Sequence, residues 1–248
     1  MTGRTTAVGF LYPGYAAEDD YPRAERMLGG GVALPLVHTS VGEDAHRVDA
    51  LLDLGGTDRL AEGAEGLRTH GVAAVVWACT SGSFVFGWDG ARAQADALGG
   101  VLGVPASSTS FAFVHAARAL GLHRVVVAAT YPQDVAESFV AFLEAGHVEV
   151  LSLASRDIIT AAEVGTLGRE DVLAFAAAHD HPEAEAVLLP DTALHSIAWL
   201  DDLEQRLDKP VLTANQVSIW EGLRLAGHPV ASERLGALFR HRAGAPTV

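Results

Sequence analysis

The chain has 248 residues, 49% of them hydrophobic and 19% charged, enough for one large folded domain or two of roughly 120 residues each. A formal net charge of -14 argues against binding to a phosphate backbone, which needs clustered Lys and Arg, so no nucleic acid is expected as a partner. No run approaches the about 18 apolar residues of a membrane span, and Met1-Thr-Gly-Arg-Thr-Thr6 leads into a strand pattern without the apolar core of a signal peptide. A cytoplasmic location and no membrane partner are therefore expected.

In chain order, strand-like apolar runs occupy 5–12, 32–38, 72–79, 101–107, 124–130, 148–154, 185–190 and 210–214. Segments of helical period lie between most of them, including 57–70, 110–120, 134–145, 169–178, 196–207 and 216–226. This alternation predicts an α/β fold with parallel sheets covered by helices. One cysteine excludes an intrachain disulfide and any multi-cysteine zinc site. The 11 histidines are scattered, and His179 and His181, just before Pro182, read as a solvated turn. Neither a metal nor a cofactor is implied.

The single cysteine, Cys79, ends the run Val72-Ala-Ala-Val-Val-Trp-Ala-Cys79 and is followed by Thr80, Ser81, Gly82 and Ser83. A thiol at the carboxyl end of a buried strand, entering a turn with hydroxyls and free N–H groups, occupies the place where open α/β sheets hold ligands. A small buried hydrophobe is the alternative.

A weak internal repeat organises the chain. Val8-Gly-Phe-Leu-Tyr12-Pro13 resembles Val126-Val-Ala-Ala-Thr-Tyr131-Pro132, and Ala74-Val-Val-Trp-Ala-Cys79-Thr80 resembles Ala186-Val-Leu-Leu-Pro-Asp191-Thr192. Val104-Pro105 with the later Arg118-Ala-Leu-Gly121 parallels Lys209-Pro210 with Arg224-Leu-Ala-Gly227. Two related halves follow: residues 1–105 plus 215–248, carrying Cys79, and residues 106–214, carrying Tyr131 and Asp191. Facing about a pseudo-two-fold axis, the strand ends at 12, 79, 131 and 191 converge on one cleft.

Ala78-Cys79-Thr80-Ser81-Gly82-Ser83-Phe84, Ala129-Thr130-Tyr131-Pro132 and Thr213-Ala-Asn215-Gln216-Val-Ser-Ile-Trp220 with Leu223-Arg-Leu-Ala-Gly227 resemble the aspartate/glutamate racemase superfamily, in its maleate cis-trans isomerase and arylmalonate decarboxylase branch. The resemblance covers nearly the whole chain. It implies two flavodoxin-like halves with the site between them, cofactor-independent chemistry next to a small substrate's carboxylate, and association into a homo-oligomer. It assigns Cys79 as nucleophile or acid/base, and Thr80, Ser81 and Tyr131 to the substrate carboxylate; Thr192, next to Asp191, is a further candidate for binding that carboxylate. Asp191 stands where the family's isomerases and decarboxylases carry a second cysteine, and no asparagine follows the first strand or precedes Glu163-Val-Gly165 as in the isomerases.

Chemistry next to a carboxylate builds an enediolate, which preorganised donors stabilise. The same donors are expected to lower the Cys79 pKa from about 8.5. Asp191 either completes a two-sided proton-transfer pair or caps a helix. Thr80 and Ser81 likewise serve as carboxylate ligands or caps. Tyr12 and Trp88 are candidate cleft residues, and His195 is within helical reach of Asp191. The acidic run Glu18, Asp19 and Asp20, placed near the cleft, would repel a dianion, which favours one carboxylate and a neutral or cationic remainder. The expected function is an isomerase or racemase; an arylmalonate-decarboxylase-like lyase and a catalytically silent carboxylate-binding or regulatory protein are the alternatives.

Overall fold

A computed structural model describes residues 5–241; the outer ends of the first half, residues 1–4 and 242–248, and the signal-peptide reading of the N-terminus lie outside it in whole or part. The first sheet holds β1 (Thr6–Pro13), β2 (Val32–Ala33), β3 (Leu36–Thr39), β4 (Ala74–Trp77) and β5 (Ala106–Ser108). Its order is β2-β1-β4-β5, with β3 also on β1. The second holds β6 (Arg124–Ala129), β7 (Glu149–Ser155), β8 (Ala186–Leu189) and β9 (Val211–Thr213), in the order β7-β6-β8-β9. Every pairing is parallel. The repeat partners thus occupy the same place in each sheet: β1 with β6, β4 with β8, β5 with β9.

Central strands read as unbroken apolar runs because both faces are covered: all four residues of β4 and of β8 are buried. Three boundaries differ from the sequence reading. The expected division of the halves at residues 105 and 106 is shifted, because β5 (Ala106–Ser108) pairs with β4 and completes the first sheet. The run 32–38 is interrupted at Leu34-Pro35, where proline offers no N–H to a ladder while its carbonyl still accepts from Phe10 N at 2.9 Å. Val101 and Leu102 are the last turn of the helix Gly87–Leu102, which stops at Gly103 in the left-handed region with φ 69°; β5 begins only at Ala106.

The halves are joined behind the sheets by the helices Thr109–Leu120 and Ala214–Leu225, tied by Thr109 Oγ1 to Ser218 Oγ at 2.7 Å and by His115 Nδ1 to Glu221 at 2.9 Å. Burial alone would raise the Glu221 pKa, but the His115 and Arg224 hydrogen bonds outweigh it and hold the carboxyl down to about 2. At the front, Asp44 of the loop after β3 accepts from Ala161 N and Ala162 N at 2.9 and 3.1 Å, and His46 N donates to Ile159 O at 2.7 Å. A strap from the first half therefore crosses onto the second. Among the described residues, no helix is long and apolar enough to cross a membrane.

Candidate active site

The ends of β1, β3, β4 and β8 open into one cavity of about 400 Å3, lined by Tyr12, Cys79, Ser81, Asp191 and Thr192 together with His38, Thr39, Val41, His46, Leu51 and Leu54. Cys79 lies two residues beyond β4 and Asp191 two beyond β8, so the duplicated fold delivers one reactive group from each half to a shared space. A larger cavity, about 710 Å3, lies behind the joining helices around His115, Trp220 and Phe239. It receives neither strand end; Cys79 and Asp191 line the cleft instead.

Cys79 is 3% exposed. Its Sγ accepts from Gly82 N–H at 3.3 Å and lies 3.9 Å from Ser81 Oγ. The expected lowering of its pKa is overturned: burial outweighs these donors and pushes the thiol up to about 12, with the Asp191 charge adding to the rise. The resting group is a protonated thiol.

The turn holding it is built for close approach. A Cβ on Gly82 would stand 3.0 Å from Cys79 Sγ and 3.2 Å from the Trp77 ring, so only glycine fits without displacement. Gly82 O accepts from Trp77 Nε1 at 3.2 Å and Gln94 Nε2 at 2.9 Å, while Ser110 Oγ donates to Thr80 O at 2.8 Å. Ser81 opens the short helix Ser81–Phe84 at the cavity wall. Thr80 is fully buried behind that wall with its Oγ1 unpartnered, beside the Tyr131 phenol.

Asp191, 4% exposed, accepts from Ala193 N at 2.9 Å through Oδ1 and from Thr130 Oγ1 through Oδ2. It makes a cap-like local bond and also lines the cavity. Thr192 O joins the halves, accepting from Tyr12 OH at 2.8 Å and Asn215 Nδ2 at 3.1 Å.

Other expected residues are placed elsewhere. Tyr131 is buried one layer back, its hydroxyl donating to Pro190 O at 2.9 Å and its ring against His46 and Phe84 at 4.9 and 5.9 Å. Trp88 is not in the cleft: its ring packs on Phe111 and Phe142 at 4.9 and 5.1 Å, because the helix Gly87–Leu102 turns that face toward its neighbouring helices. His195 pairs with Asp19 at 2.8 Å rather than with Asp191. The acidic run does not line the cavity either. Asp20 is buried, accepting from Ser196 N, Ile197 N and Asn215 Nδ2 at 3.0, 3.2 and 3.0 Å; burial still raises its pKa against those bonds.

Sequence reasoning passed over His38, Thr39 and His46. The first two stand at the end of β3 and were open to the same strand-end rule that singled out 12, 79, 131 and 191. His46 carried no local signal, since a loop far along the chain brings it to Tyr131.

A duplicated α/β fold whose equivalent strand ends share one cavity matches the plan implied by the resemblance to the aspartate/glutamate racemase superfamily, with Asp191 in place of the family's second cysteine. The family model for arylmalonate decarboxylase matches residues 54–239. The chain is 30% identical over 175 residues to the arylmalonate decarboxylase of Bordetella bronchiseptica, covering 68% of this chain and 72% of that one. It is 30% identical over 153 residues to the maleate isomerase of Nocardia farcinica, 61% of each. A cysteine-to-alanine variant of the maleate isomerase Iso of Pseudomonas putida, solved with maleate, superposes with a TM-score of 0.86 at 20% identity, covering 94% of this chain and 97% of that one. The chain belongs to the arylmalonate decarboxylase family, and like these relatives it is an enzyme of the isomerase and decarboxylase kind.

Proposed function

We propose that this enzyme moves a proton at the carbon next to the carboxylate of a small acid, without a cofactor, using Asp191 as base and the Cys79 thiol as acid. The observation that carries the reading is that these two groups, from equivalent strand ends of opposite halves, line one cavity. The C–H bond breaks with its proton passing to Asp191, and the electron pair enters the substrate carboxylate as an enediolate. Cys79 S–H then delivers a proton to that carbon from the other half. Asp191 is left protonated and Cys79 as thiolate, and exchange with water resets both. Ser81 and the N–H groups of the turn after Cys79 serve the enediolate oxygens. Thr80 and Tyr131 act from behind that turn, and Thr192 and Tyr12 hold the opposite wall.

Decarboxylation is the second reading, favoured by the match to arylmalonate decarboxylase and by a thiol that burial keeps protonated. There the C–C bond breaks, carbon dioxide leaves, the electrons enter the remaining carboxylate and Cys79 protonates the carbon. No base is needed, which separates the two readings. Proton NMR in deuterated water, with 2-aryl- and 2-alkylmalonates, maleate, amino acids and hydroxy acids, tests both on wild type, Cys79→Ala and Asp191→Asn. Deuterium entry without loss of carbon dioxide, dependent on both side chains, is expected; malonate turnover that survives Asp191→Asn would select decarboxylation instead.

A further inference from the structure

The duplication that brings Cys79 and Asp191 together at the front also pairs residues at the back. Arg118 and Arg224 each stand three residues before a glycine, Gly121 or Gly227, in the matched segments of the two halves, and both line the rear cavity of about 710 Å3. His115 and Glu221, each three residues before its arginine, are equivalent in the same way, and they meet: His115 Nδ1 lies 2.9 Å from Glu221 Oε1. Arg224 Nη2 donates to that same oxygen at 2.9 Å, and Arg224 Nε to Glu221 Oε2 at 2.8 Å. The fully buried Glu221 carboxylate therefore draws a side chain from each half to one point beside the cavity.

The pairing is unequal, and the inequality leaves charge over. Glu221 offsets the charge of Arg224, whose guanidinium keeps three further N–H donors. Arg118, its equivalent, is exposed, and among the described residues it joins no ion pair. In a chain of net charge -14, no Asp or Glu stands among the described residues that line this cavity. Trp220, Pro229 and Val230, none of them fully buried, supply apolar surface beside the two arginines. A guanidinium takes a carboxylate through two parallel N–H bonds, and apolar surface next to it favours a ligand whose anionic head carries an apolar body. We propose that the rear cavity is a second ligand site, for an amphipathic carboxylate, with Arg118 and the open edge of Arg224 on its head group and Trp220 against its body. This site is separate from the cleft and does not depend on the chemistry proposed there.

The test is calorimetric titration of the whole enzyme with octanoate, octylammonium and acetate, on wild type, Arg118→Gln, Arg118→Glu and Asp191→Asn. Octanoate is expected to bind about tenfold or more tightly than octylammonium, which has the wrong charge, and than acetate, which lacks the body. Arg118→Gln should weaken octanoate about fivefold and Arg118→Glu further, with the melting temperature little changed because the side chain is exposed. Asp191→Asn, in the cleft, should leave octanoate affinity within about twofold. Equal binding of octanoate and octylammonium, an affinity that survives both Arg118 variants, loss of binding in Asp191→Asn, or no octanoate binding at all would each overturn the site. An octanoate affinity that falls as the enzyme is concentrated would assign this face to a second copy of the chain and overturn it equally.

Discussion

Cys79 and Asp191 occupy matching positions past β4 and β8, yet the two halves treat them differently. Cys79 is given weak partners, one N–H at 3.3 Å and one hydroxyl at 3.9 Å, and burial prevails, holding the thiol's proton in place. Asp191 is given two donors, Thr130 Oγ1 and Ala193 N–H, that fix its carboxylate as an acceptor at the cavity wall. The fold offers two equivalent stations, and under the proposed mechanism their different neighbours would make one the proton source and the other the proton sink.

The sharpest way to break this contrast is to remove the source. Cys79→Ala should lower kcat by about 10³-fold or more, within the range of a lost general acid, with the melting temperature shifted by only a few degrees at most. Full retention of activity would dismiss the assignment. The contrast also predicts a chemical property. Because the thiol is raised from 9.0 to about 12, its thiolate fraction near pH 8 should be about 10³-fold below that of a free cysteine. Alkylation by iodoacetamide should therefore be slow and rise tenfold per pH unit up to the limit of stability. A plateau near pH 8 would show that burial does not prevail.

Asp191→Asn tests the other station. The amide keeps an acceptor for Ala193 N–H, so folding should persist while kcat for proton abstraction falls about 10²-fold. Thr130→Val is a smaller perturbation. Thr130 is buried and touches Asp191 rather than the cavity, so its loss should reduce kcat about tenfold with KM within about twofold, the pattern of a positioning residue. Thr130→Ser should restore most of the rate.

The duplicated α/β plan and the convergence of Cys79 and Asp191 were legible because strand ends in parallel sheets are set by local apolar runs, and the repeat named their equivalents. Balances and long-range facing were not. Whether donors or burial governs Cys79 depends on how completely the other half covers it, which no spacing encodes. Glu18 to Asp20 looked like a cleft wall from sequence; Asp20 instead satisfies N–H groups of Ser196 and Ile197, some 176 positions on for the first. Trp88 went astray because a helix chooses its buried face by its neighbours, here Phe111 and Phe142.

Tyr131 gives the smallest expected effect and the finest discrimination. As the family resemblance has it, its hydroxyl binds the substrate carboxylate; in the structure that hydroxyl donates to Pro190 O, immediately before Asp191, while Thr80 Oγ1 lies unpartnered beside it. A phenol that serves Pro190 supports the Asp191 turn and contributes chiefly to stability. Tyr131→Phe should then cost about 1 kcal/mol of unfolding free energy, the usual worth of one buried hydrogen bond, and change KM less than about twofold. If KM instead rises tenfold while stability holds, the hydroxyl leaves Pro190 when substrate arrives, and the two halves share the carboxylate as well as the proton. Measuring KM and denaturant midpoint on the same variant separates a residue that holds the wall from one that holds the ligand.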